Sequence, residues 1–229
     1  MKAIFLLAAM IISISNRIVA QDYMQEYNDI LKTISSYQAY SISASVEARE
    51  IKTDKLLETF KYYIIRNNLD YYYLVDKMEM VINDCKCLWI DNEYKVIQYG
   101  EIRDKKDWQK KMSFDPSARL QEIQQQSDLL DTVYNTQNDA QFSSFTFVFK
   151  SGTLSKASIT FDKTKKFIQA AEYFYESGTD YSVPMKIRVV YDFKPTTEPF
   201  PHEISTYLDF SHNQANLKPL YSKYKLSLL

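Results

Sequence analysis

Residues 142–193 read FSSFTFVFK SGT LSKASITFD KTKK FIQAAEYFYE SGTDYS VPMKIRVVYDF, four aromatic-rich segments separated by polar turns. Phe145, Phe147 and Phe149 alternate with polar or smaller residues. Ile159 and Phe161 repeat the spacing in the next segment, and Ile187, Val189 and Tyr191 in the fourth. A period of two is what a pleated strand with one dry face requires. The stretch is therefore expected to be a four-stranded antiparallel meander. It offers a surface or a cavity, and almost no reactive chemistry.

The same reading extends upstream. Tyr40, Ile42, Ala44, Val46 and Ala48 alternate with serines and a glutamate, and Phe60, Tyr62 and Ile64 continue the pattern. After the turn residues Asn67 and Asn68 come short strands at 71–75 and 78–82. A turn at Asn83-Asp84 precedes CLWI, and one at Asp91-Asn92 precedes YKVIQYGEI. Asparagine tolerates the left-handed backbone such turns need. Residues 40–102 thus hold about six strands in sequence, which as chain neighbours pair antiparallel.

Two segments carry a helical period. Tyr27, Ile30, Leu31 and Ile34 put an apolar stripe on a helix over 22–36. Asp115-Pro116 starts a second helix, with Leu120, Ile123, Leu130 and Val133 as its buried stripe and an end near Asn135. Between the sheets, DKKDWQKK (104–111) is a charged, solvated loop with Trp108 as its apolar anchor. Past a proline-rich bend at 194–201, two closing strands are expected over 203–210 and 220–228. The sum is an α+β protein built on a large curved antiparallel sheet, an incomplete barrel whose concave face the helices cover.

The first twenty residues read as a signal peptide, with Lys2 ahead of an apolar run from 3 to 14. Cleavage is expected after Ala20 or after Ser15, with no cysteine there to accept a lipid. Without Lys2 and Arg17 the chain carries 26 basic and 29 acidic residues, a formal charge of −3. That balance gives no basic footprint for nucleic acid. No linker divides residues 21–229, so one domain is expected, exported and without a membrane span.

Nineteen tyrosines and 13 phenylalanines stand against three glycines, Gly100, Gly152 and Gly178, which lie too far apart to form GxGxxG or GxxxxGK[ST]. Aromatics suit half-buried strand faces instead. Cys85 and Cys87 in DCKCLW would share a strand face about 7 Å apart, as buried thiols or a local bridge. Two thiolates make half a zinc site, and His202 and His212 lie far off in sequence and read as exposed turn residues. No nucleophile elbow is present. Acid pairs such as Glu47 with Glu50 or Asp162 with Glu172 have no basis for selection as glycosidase carboxylates. The chain is expected to be no enzyme and to need no cofactor or metal.

The order of VINDCKCLWIDNEYKVIQY, a helical interruption, ASITFDKTKKFIQAAEYFY and KIRVVYDF resembles the LolA-like family of periplasmic lipoprotein carriers. Asp84, Leu88, Trp89 and Asp91 match that family's hairpin, with Cys85 where it usually has glycine. The resemblance implies an incomplete barrel, helices lidding an apolar cavity, and binding of an acyl chain or lipoprotein in the periplasm. The candidate cavity lining is Trp89, Phe145, Phe147, Phe149, Ile159 and Phe161. The alternative is an assembly factor of an envelope machine, its core filled and its partner a protein.

Overall fold

The structure, a computed structural model, describes residues 26, 28, 29, 32, 33, 36–68, 70–83, 85–102, 123, 129–177, 182–196, 200, 202–211 and 214–228. Residues 1–20, Trp108, His212 and most of both expected helices lie outside that set.

Six strands come first, β1 Ala39–Glu50, β2 Leu56–Asn67, β3 Asp70–Val75, β4 Met78–Asn83, β5 Lys86–Asp91 and β6 Val96–Glu101. Then come β7 Leu130–Asn138, β8 Phe142–Phe149, β9 Leu154–Asp162, β10 Phe167–Tyr175 and β11 Met185–Pro195. Three short strands close the chain, β12 Leu208–Asp209, β13 Asn216–Leu217 and β14 Lys225–Leu228. One sheet holds twelve of them in the order β14-β6-β5-β4-β3-β2-β1-β11-β10-β9-β8-β7, leaving β12 and β13 as a separate pair. The sheet is open and mostly antiparallel, with β14 parallel to β6. The four-stranded meander is β8 to β11, in the expected places.

Few glycines shape the turns. Asp54, Asn68, Asp76, Cys85, Lys95 and Lys166 all hold positive φ between 49° and 66°. Aspartate and asparagine tolerate that region; cysteine and lysine hold it only where the flanking strands enforce it. Two of these turns repeat one device. In DNEYK, Asp91 Oδ1 accepts the N–H groups of Glu93 and Tyr94, and Lys95 takes the left-handed position. In DKTKK, Asp162 Oδ1 accepts those of Thr164 and Lys165, and Lys166 takes it.

Three expectations change. Leu130 and Val133 belong to strand β7, so the second helix does not reach them. Among the described residues the only continuous helical segments are 3-10 turns such as Ile204–Thr206 and Pro219–Tyr221, so helices covering the sheet are not supported. The two closing strands shrink to β12 and β14, because the 3-10 turns Ile204–Thr206 and Pro219–Tyr221 take up the first part of each expected strand. No helix of the described residues is long and apolar enough to cross a membrane.

Contacts gather the chain into two compact units, 1–36, 46–59 and 115–191 in one, 37–45, 60–114 and 192–229 in the other. In the first unit the core is one face of β8 to β11. In the second, Ile65, Tyr72, Val81, Leu88, Ile90 and Ile97 of the sheet pack against Ile204, Tyr207 and Leu208 of the C-terminal segment.

Candidate functional site

In the first unit, register assembles the expected aromatic face. Phe145 pairs with Ile159 and Phe147 with Ala157 across β8 and β9. Ile159 and Ala157 pair in turn with Ala171 and Tyr173 of β10, and those with Val189 and Ile187 of β11. Side chains opposite each other lie on one face, so this surface is apolar strand after strand. The rings of Phe145 and Phe161 sit 6.1 Å apart. Phe149 is 7 % exposed, Phe147 1 %, and Ile159 and Phe161 0 %, so no water-sized space adjoins the last two. Ser143 shares this face and donates its hydroxyl to Glu26 at 3.1 Å.

The opposite face of the same strands is polar. The hydroxyls of Thr146 and Ser158 meet at 2.7 Å and those of Ser144 and Thr160 at 2.9 Å. Arg188 faces Glu172 at 3.8 Å, and Lys156 lies over the Phe174 ring at 4.2 Å. The candidate acid pairs thus have structural work. Glu172 meets Arg188, Asp162 caps its turn, Glu47 meets Arg49 and Glu50 accepts from Thr53.

Trp89 belongs to the second unit, half-buried on β5 in the row Ile64, Tyr73, Met80, Trp89, Gln98. Cys85 and Cys87 are free thiols. Cys85 sits exposed in the β4–β5 turn, not on the strand, while Cys87 is buried on β5, where burial raises its pKa. The expected shared face of the two thiols therefore does not form. Among the described residues no group of three or more His, Cys, Asp or Glu could hold a metal ion.

Sequence reasoning missed the polar centre of this unit. Glu79 points from β4 toward the C-terminal segment, where its Oε2 accepts the hydroxyls of Tyr72 and Tyr207, each at 3.1 Å. Its Oε1 accepts the Asn92 amide at 2.6 Å, and Asn92 Oδ1 accepts the Tyr224 hydroxyl at 2.6 Å. His202 is not an exposed turn residue either. Its ring stacks on Tyr72 at 3.5 Å with an interplanar angle of 8°.

Burial, with Glu79 beside them, lifts Tyr72 and Tyr207 well above the ordinary tyrosine pKa of 10.0. Burial also lowers His202 below 6.5, partly offset by Glu79. A raised folded-state value adds stability that is complete below the unfolded value and lost as pH rises past it. A lowered histidine adds stability that is complete above its unfolded value and lost as pH falls below it. The urea midpoint is therefore expected to hold level between roughly pH 7 and 9 and to fall above about 10 and below about 6.5. Tyr207→Phe should make the alkaline arm shallower, since Tyr72 still titrates there, and leave the acid arm unchanged.

A cleft of about 310 Å³ opens in this unit beside the ends of β3, β4 and β5. Asp70, Asn83 and Lys86 line it from the sheet, and Phe200, Glu203, Ile204, Ser205 and Phe210 from the C-terminal segment. Asn83 Oδ1 accepts the Ile204 N–H at 2.9 Å and holds one wall in place. Lys86 Nζ stands 4.4 Å over the Phe210 ring.

No family model matches the chain, and no curated protein matches it. Among solved structures it is similar to a DUF1329 family protein from Desulfovibrio piger, at 9 % identity over 80 % of this chain and 98 % of that one, TM-score 0.35. It is similar to a LolA superfamily protein from Nitrosomonas europaea, at 8 % identity over 75 % and 94 %, TM-score 0.31. It is also similar to the MucA/MucB complex structure of Pseudomonas aeruginosa, at 9 % identity over 87 % of this chain and 63 % of that one, TM-score 0.39. A LolA superfamily structure thus stands among its neighbours. Likenesses of this size leave the chain's task to its own residues.

Proposed function

We propose that the chain is an exported, non-enzymatic protein of the periplasm that binds an apolar ligand, an acyl chain of a lipid or lipoprotein, against the aromatic face of β8 to β11. The observation that supports this is the row Phe145, Phe147, Ile159 and Phe161, continued on β10 and β11 by Ile168, Ala171, Val189, Ile187 and the ring of Tyr173, with Phe149 beside Leu130 of β7. Alkyl surface buried there gains about 25 cal/mol per Å² without any directional contact. Trp89 offers a separate apolar contact in the second unit. Because Ile159 and Phe161 show no exposure, a guest gains this face only by displacing what covers it. The leading segment at 1–20 supplies the route of export.

That same dryness favours a second reading, an envelope assembly factor whose aromatic face is filled core and whose partner is a protein. One experiment separates them. The chain purified from an envelope fraction is analysed by native mass spectrometry and titrated with a fluorescent fatty-acid probe. The carrier reading expects a co-purified lipid mass or saturable one-to-one uptake. A stoichiometric protein partner with neither lipid nor uptake would remove it in favour of the second.

A further inference from the structure

We infer that the cleft between the β3–β5 strand ends and the C-terminal segment is a binding site for a small zwitterion, a primary ammonium joined to an anionic oxyacid group. Its volume of about 310 Å³ lies at the small end of ligand sites. The lining carries both signs of charge on two separate elements, Lys86 on β5 and Glu203 on the C-terminal segment, with Asp70 adding negative charge. A plain anion would meet Lys86 but be repelled by the two carboxylates, and a plain cation would meet the reverse. A molecule bearing both charges satisfies both walls.

The remaining groups narrow the chemistry. Among the described residues, Lys86 makes no ion pair. Its ammonium rests on the Phe210 ring at 4.4 Å, positioned but with hydrogen-bond capacity to spare. Asn83 spends its oxygen on Ile204, which leaves its amide N–H groups as further donors for an oxyanion. Among the described residues Glu203 accepts only from Ser205, at 2.9 Å, so its second oxygen can take an N–H donor. A quaternary ammonium would seek an aromatic face, but of the two rings in the lining Lys86 already covers Phe210 and Phe200 meets His202 edge-on. The site therefore suits an ammonium that donates hydrogen bonds, as in an ethanolamine phosphate headgroup or an amino acid.

The test uses the full mature chain and soluble probes without acyl chains, so its outcome is independent of whether the aromatic face binds lipid. Glycerophosphoethanolamine represents the headgroup and glycylglycine the amino-acid source. Ethylamine, inorganic phosphate and glycerophosphocholine serve as single-charge and quaternary controls. Calorimetry is expected to show one zwitterion binding about tenfold more tightly than every control, the worth of one added charge-assisted hydrogen bond. Lys86→Gln and Glu203→Gln should each erase about that factor, and the Phe210 ring signals should shift on binding. Preference for glycerophosphoethanolamine would assign a lipid headgroup, and preference for glycylglycine an amino-acid ligand. No binding, equal binding of phosphate alone, or affinity unchanged in both variants would overturn the site.

Discussion

Phe161→Ala is expected to lower the unfolding free energy by about 3–5 kcal/mol, the range for an aromatic side chain removed from a packed core. Phe161 is 0 % exposed and faces the Phe145 ring at 6.1 Å, and Ile159 and Ala157 on the same strand are also wholly covered. Neighbours held by strand register cannot close a ring-sized hole, so transfer and cavity costs add. Thr146→Ala on the opposite face is the control. It removes one hydroxyl contact with Ser158 and should cost about 1 kcal/mol. Urea denaturation of both variants checks the contrast. A loss below about 1 kcal/mol for Phe161→Ala would mean that the face collapses or refills with ease. The same variant also bears on ligand uptake. If a guest takes this face, the vacated ring volume should admit the fatty-acid probe more readily even as stability drops.

The meander was legible because its strands are bounded by turn residues and β8, β9 and β11 alternate in their letters, while β10 breaks the period at its irregularity between Ile168 and Ala170. Phe145, Phe147 and Phe149 share one face and Ser144 and Thr146 the other, so the alternation survives in the letters although both faces are buried there. Strand β7 is the opposite case. It lies at the sheet edge with Asp131, Thr132, Tyr134 and Asn135 all exposed, so burial prints no alternation on it. The spacing of Leu130 and Val133 then imitates a helical stripe. Thr132, Val133, Tyr134 and Thr136, all strand formers, were the signal pointing the other way.

The C-terminal segment hid its role for a different reason. It crosses the face of the second unit's sheet, so its buried residues follow the shape beneath them and not a period. Tyr207 and Leu208 are consecutive and both buried, and His202 stacks on a tyrosine 130 positions earlier in a turn-like sequence. Contacts over such separations leave no local trace. The one hint was Glu79, a carboxylate inside the otherwise apolar strand MEMVI. A charge in a half-buried strand position needs partners, and the tyrosines of the segment supply them.

That placement gives the second large effect. Glu79→Ala is expected to cost about 3–5 kcal/mol, since three donors lose their acceptor together and each stranded buried donor costs about 1–3 kcal/mol. Tyr72 and Tyr207 would keep hydroxyls aimed at an empty position, and the Asn92 amide would lose its 2.6 Å bond. Glu79→Gln retains an acceptor but introduces N–H groups facing donors, so roughly half the loss should remain. Tyr207→Phe removes one bond of the set and should cost about 1 kcal/mol. The consequence is also spatial. Tyr207 and Tyr224 stand 128 and 132 residues from the groups they meet, so the Glu79–Asn92 pair ties the segment to the sheet at two points. Hydrogen exchange in Glu79→Ala should therefore rise across 202–228 before it rises in β8 to β11. A uniform rise over both units would show that Glu79 supports global stability and not the attachment of this segment.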